Sequence, residues 1–113
     1  MTEKEARELV KDRSDGGCEA FIPDVCMGRM ASIHHRRKRS HGGTWQTSNL
    51  VAVCGDGTTG CHGWIEANPK LARAAGLWLM SGDGEPYARK VWLRTYNEDK
   101  AWVLLDDEGG RSW

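Results

Sequence analysis

Apolar residues in this chain come in short runs, each with its own period, and the runs predict a mixed set of elements. Ala6, Leu9 and Val10 recur at helical spacing and predict a helix over residues 2–13. Thr2 and Glu5 form a capping-box pair at its start, and Ser14-Asp15-Gly16-Gly17 ends it. Residues 31–37 read as a strand, with Ile33 turned inward and His34 and Arg36 facing the other way. The β-branched run at 50–53 predicts a second strand, antiparallel to the first. Residues 62–68 predict a short helix. Asn68 and Pro69 then read as the cap and first position of another, running to about Ala75 with Gly76 as its stop. Further strands are predicted at 77–80, 91–95 and 101–105, with turns at 81–86 and 97–100. Trp78, Trp92 and Trp102 fall one to each of these strands, which predicts a shared, core-packed aromatic face. Strands and helices in separate runs indicate the α+β class.

The 113 residues fit one domain, divided by character into a segment at 1–76 and a β-rich extension at 77–113 expected to pack on it. With only 39% apolar residues, the chain has little core to spare, so a cross-link would help it fold. Cys18 and Cys26 have seven residues between them, and Cys54 and Cys61 have six. Both gaps are wider than the two to four residues of common zinc knuckles. Yet no cysteine is left over, and the two pairs bracket His34-His35 and Asn49. A structural zinc held by Cys18, Cys26, Cys54 and Cys61 is the expected use. Four buried free thiols, or two disulfides in an exported protein, are the alternatives. The opening MTEKEARELVKDR is charged throughout and has no apolar stretch of signal-peptide type, and no run reaches the roughly 20 apolar residues of a membrane span. The expectation is a cytoplasmic protein, which favours zinc over disulfides.

Charge changes the picture further. Basic and acidic residues balance at 16 each, but residues 29–45 carry five basic residues and no acid, whereas residues 98–113 carry five acids and two bases. A basic run beside a histidine pair points to a polyanion such as DNA, with Arg36, Arg37, Lys38 and Arg39 as phosphate contacts. A solvated basic loop is the plain alternative.

Cys-Glu at 18–19, Ile-His-His-Arg at 33–36, Arg-Ser at 39–40, Gly-Gly at 42–43, Ser-Asn-Leu at 48–50 and Cys54 through Cys61-His62 together resemble the HNH endonucleases, in particular small phage members with zinc-binding cysteines. The likeness covers residues 7–76, and VLLDDEGG at 103–110 resembles the tail of those phage proteins. Phe21 stands where such proteins usually carry the second cysteine of the first knuckle, and Cys26 is the substitute.

The resemblance implies a zinc-clamped ββα-metal unit with an N-terminal helix. It makes His34 and His62 ligands of a catalytic divalent cation (Mg²⁺, Mn²⁺, Ni²⁺ or Zn²⁺) and His35 the general base. Asn49 becomes the residue that ties the connecting loop and so orients His35. It also implies hydrolysis of DNA to 5′-phosphate and 3′-hydroxyl ends by a monomer or weak dimer, in the cytoplasm of a phage-infected bacterium, with terminase subunits as partners. The chemistry suits these residue types: a neutral imidazole is a base near pH 7, and a cation stabilises charge on the phosphate and the departing oxygen. Other uses remain open. Asn49 can shape a turn, His62 can join the structural zinc, His41 is a rival base, and Glu66 lies one helical turn from His62 and can orient it. The rival function is a non-catalytic zinc module that binds nucleic acid and has no need of the His35, Asn49, His62 set. A disulfide-stapled secreted domain is a further rival.

Overall fold

A computed structural model describes residues 1–95 and 99–113. Helix α1, Glu3–Ser14, begins where Thr2 Oγ1 accepts the Glu5 amide (3.2 Å) and ends at Asp15 in the left-handed region. Strands β1, Ser32–His35, and β2, Leu50–Val53, pair antiparallel, with Ser32 opposite Val53 and His35 opposite Leu50. Helices α2, Gly60–Ala67, and α3, Pro69–Ala74, follow. Then come β3, Val91–Arg94, β4, Lys100–Leu105, and β5, Arg111–Ser112, in one antiparallel sheet of order β3-β4-β5. The class is α+β, as expected.

The β1–β2 hairpin is buried on both sides. Ile33, Leu50 and Ala52 pack on Ala6 and Val10 of α1. Val51 and Val53 face a second cluster with Ile65 of α2, Ala72 of α3, and Val91, Leu93, Val103 and Leu105 of the tail sheet. Residues 77–113 therefore share a core with the cysteine-bearing segment. The tail also latches the loop before β2: Thr47 Oγ1 donates to the Asp106 carbonyl (2.7 Å), and the Ser48 hydroxyl donates to the Asp107 carboxylate.

A buried ion pair ties α1 to the hairpin. Arg13 donates to both Glu19 oxygens (2.9 and 2.8 Å) and to the Thr47 and Leu50 carbonyls, while Glu19 Oε1 also accepts the Ala52 amide (2.9 Å). Such a pair costs desolvation on both partners, and these extra hydrogen bonds are what offset it.

Four expectations need correction. His34 and Arg36 do not face away from the core: they are 2% and 0% exposed, because the second hairpin face is covered by the tail. Residues 77–80 form no strand. Their polar groups go elsewhere, with Leu79 N donating to the Arg36 carbonyl (2.7 Å). Asn68 precedes α3, but its side chain makes no cap and donates instead to the Trp64 carbonyl (2.9 Å). Trp78 packs against the core, but Trp92 and Trp102 do not form a core face with it. In β3 and β4 the alternate positions Val91, Leu93, Val103 and Leu105 take the core, which turns the paired Trp92 and Trp102 outward. Part of the predicted turn at 97–100, residues 97 and 98, lies outside the described residues. Among the described residues, no helix is long and apolar enough to cross a membrane.

Candidate functional site

The loop between α1 and β1 brings the first two cysteines to the last two. Cys18 N donates to the Gly28 carbonyl (3.1 Å), and Phe21 (φ 47°) and Asp24 (φ 62°) adopt left-handed turns that fold the segment back. The lengthened segment thus carries Cys26 to the position that Phe21 does not fill. On the other side, Gly55 (φ 73°) is held so close to Thr59 that a Cβ would sit 2.1 Å from the Thr59 carbonyl oxygen, so only glycine fits. Asp56 Oδ1 accepts the Thr58 and Thr59 amides (2.8 and 3.1 Å), which fixes the turn that starts α2 with Cys61 and His62.

All four sulfurs lie within 4.8 Å of one another, and none is in a disulfide. Tetrahedral zinc–thiolate bonds of about 2.3 Å place sulfurs ~3.8 Å apart, so this donor set fits a zinc ion with small adjustments. The backbone already supports thiolate charge. Sγ of Cys54 accepts the Met27 and Cys61 amides (both 3.2 Å), Sγ of Cys61 accepts the Ile22 amide (3.4 Å), and Sγ of Cys26 accepts the Gly28 amide (3.3 Å). Crowding sets the thiols apart. A hydrogen bond from Cys61 pulls Cys18 down to about 5, burial pushes Cys26 up to about 11, and the same bond to Cys18 raises Cys61. Four thiolates together need a cation among them.

The second cluster joins β1 to α2. One nitrogen from each of His34 and His62 and one Glu66 oxygen lie within 4.8 Å of one another. Hydrogen bonding sets both tautomers. The Leu77 carbonyl can only accept, so His34 Nε2 carries the proton of their 2.6 Å bond and Nδ1 is the free nitrogen. Ser32 Oγ donates to the Gly55 carbonyl (2.7 Å) and so receives Nδ1–H of His62 (2.8 Å), which leaves Nε2 free, 4.0 Å from Glu66 Oε1. Burial pulls His34 down to about 4 and lowers His62 too, so both are neutral donors at pH 7. Glu66, read from the sequence only as an orienting neighbour of His62, is the third member of this donor set. Its helical spacing of one turn after His62 was the available signal.

His35 follows His34 in β1 and is half-buried. Desolvation, then the charge of Arg39 and Arg7, holds its pKa below the ordinary value. Its Nε2 is buried with no hydrogen-bond partner among the described residues, and the ring stands edge-on to Trp45 at 4.5 Å. Its edge-on partner Trp45 carried no motif signal.

Asn49 is 1% exposed and clamps the connecting loop: its Oδ1 accepts the Arg37 amide (2.8 Å), and its Nδ2 donates to the Arg37 and Thr44 carbonyls (both 3.1 Å). His41 lies in a short 3₁₀ turn at Arg39–His41, exposed to solvent and outside both donor clusters.

The basic run divides. Arg36 is not available to phosphate, which corrects its assignment as a DNA contact. Its guanidinium donates to the carbonyls of Gly76, Ser48, Pro86 and Arg89, and burial pulls it down to about 9, still charged at pH 7. Arg37 donates to the Met80 carbonyl (3.1 Å) and to that of Gly84. Lys38 pairs with Glu66 (2.6 Å) and lies over Trp78, and Arg39 is exposed.

Comparison of the chain with protein-family models, with curated proteins and with solved structures finds no match.

Proposed function

We propose that this protein is a metal-dependent endonuclease of the HNH kind that hydrolyses DNA phosphodiester bonds. In this reading the β1–β2 hairpin with α2 is its ββα-metal unit. One observation carries the proposal: one nitrogen from each of His34 and His62 and one Glu66 oxygen lie within 4.8 Å of one another, and His35, next to His34 in the chain, is kept neutral by desolvation.

In this reading His35 accepts a proton from water as the water oxygen attacks phosphorus. The P–O3′ bond breaks, and the departing oxygen takes a proton from solvent, leaving 5′-phosphate and 3′-hydroxyl ends. Trp45 holds the imidazole plane, and Asn49 keeps residues 37–44 from shifting under it. A divalent cation bound by His34, His62 and Glu66 supplies charge stabilisation at the phosphate and the leaving oxygen. Arg39, exposed at the rim, meets the DNA backbone. The cysteine cluster, closed and distant in role, binds zinc and holds the hairpin to α2.

Nicking of supercoiled plasmid by wild type and His35→Ala, with EDTA and with Mg²⁺, Mn²⁺, Ni²⁺ or Zn²⁺, tests this. Metal-dependent nicking that disappears in the variant is the expected result. Absence of nicking with every metal, with zinc and DNA binding intact, selects the zinc-dependent binding module instead. On the resemblance, the setting is processing of phage DNA, and affinity capture during infection that yields no terminase subunit removes that partner.

A further inference from the structure

The outward tryptophans have no role in the core or in hydrolysis. Trp92 and Trp102 face each other across β3 and β4 with ring centroids 5.5 Å apart, and Trp102 is 44% exposed. Two rings side by side make an exposed aromatic patch rather than a single surface residue. Trp102 forms one wall of a cleft of about 370 Å³, and Trp78, Arg73, Arg89 and Lys90 line the rest. Asp83 is the acidic group in this lining. It is already committed, accepting from Arg73 (2.7 Å) and from the Met80 amide (2.8 Å). Arg89 and Lys90 are exposed, and among the described residues their side chains enter no ion pair.

The cleft adjoins the histidine cluster at two points. Lys38 Nζ is 2.6 Å from Glu66 Oε2 and 4.7 Å from the Trp78 ring centre. Leu77, next to Trp78, supplies the carbonyl that holds His34. Lys38 therefore links Glu66 of that cluster to Trp78 of the cleft lining.

Aromatic rings beside the exposed cations Arg89 and Lys90 match a ligand that carries both flat rings and negative charges. Double-stranded DNA keeps its base faces stacked inside the helix, whereas a single strand presents them. We infer that the cleft between Trp78 and Trp102 binds a single-stranded DNA segment, with a base stacked on Trp102 and phosphates on Arg89 and Lys90. Only the direction of the strand, toward the histidine cluster, rests on the nuclease reading. The substrate then has an unpaired stretch beside the cut phosphate.

The test is fluorescence anisotropy with a short labelled oligothymidylate and a duplex of equal length, without added divalent cation. Trp102→Ala is expected to weaken single-strand binding roughly 5- to 100-fold, with duplex binding within about twofold. Trp102→Tyr restores it, because a ring face is what matters. Arg89→Ala with Lys90→Ala lowers the salt dependence of single-strand binding by about 0.7 for each phosphate that is no longer neutralised. Wild-type single-strand affinity in Trp102→Ala, with zinc content and circular dichroism intact, overturns the proposal, as does an equal loss for duplex. The His35→Ala variant separates the two ideas. If wild type never nicks DNA yet the Trp102 effects hold, the nuclease reading fails and the cleft stands. If nicking is normal and Trp102→Ala binds as wild type, the cleft alone fails.

Discussion

Two clusters of side chains that could hold a metal ion meet around the turn into α2, and they differ in almost every physical respect. The thiol cluster has four like donors, three of them buried, each sulfur tied by backbone amides or by its neighbours. The histidine cluster mixes two imidazoles with a carboxylate, and His62 and Glu66 are only half-buried. Four thiolates complete a tetrahedron and leave no position for another ligand, whereas three mixed donors leave room for phosphate oxygens and water. Both sets share the turn at 55–60: Cys54 and Cys61 flank it, and His62 follows. In the proposed reading, a metal held by the thiols would therefore also fix the position of His62.

The largest expected effect comes from breaking the closed site. Small zinc modules draw on the order of 10 kcal/mol from their metal, comparable with the whole stability of a domain. Cys54→Ser is expected to lose zinc and cooperative thermal melting together, and elemental analysis with calorimetry checks this. If the variant melts as wild type, the clamp is not what holds the hairpin.

His35→Ala should reduce nicking by about 10²- to 10⁴-fold, the usual worth of a positioned base, while zinc content and melting temperature stay unchanged. A fall in both stability and activity would make His35 a packing residue.

Arg36→Met sharpens the contrast within the basic run. It leaves the Gly76, Ser48, Pro86 and Arg89 carbonyls without their donor, so a destabilisation of about 3–5 kcal/mol is expected in urea melts. Arg39→Ala, at an exposed position, should leave stability within about 0.5 kcal/mol and weaken DNA binding.

Glu66→Gln is the smallest and the most selective change. It should lower affinity for a second cation by about 10- to 100-fold without altering the zinc content, as titration calorimetry with Mn²⁺ would show.

What the sequence made legible was local. Helix α1 followed from three apolar positions and the Thr2 cap, and the hairpin from the β-branched run at 50–53 against the segment at 31–37. Those signals need no knowledge of the rest of the chain. The basic run misled for Arg36 because a charge run reads as solvated. Only the folding of the tail over the hairpin's second face buries that residue. Residues 77–80 look like a strand by composition, but they have no strand beside them to pair with. The outward tryptophans were legible in part. Trp92 alternates with Val91 and Leu93 and shares its face with Arg94, a pattern that already places it on the wet side. For Cys26, spacing carried too little. Its arrival at the cluster depends on left-handed turns at Phe21 and Asp24, positions where residue type gives no warning.

The central proposal is that a closed zinc site and a separate open cation site share the turn between β2 and α2. The most direct measurement counts metals in wild type and in His62→Ala after dialysis, then titrates each with Mn²⁺. The account predicts zinc retained in both proteins at one per chain, and a Mn²⁺ site present in wild type and lost in the variant. Loss of zinc from His62→Ala, or Mn²⁺ binding that is the same in both, would contradict it.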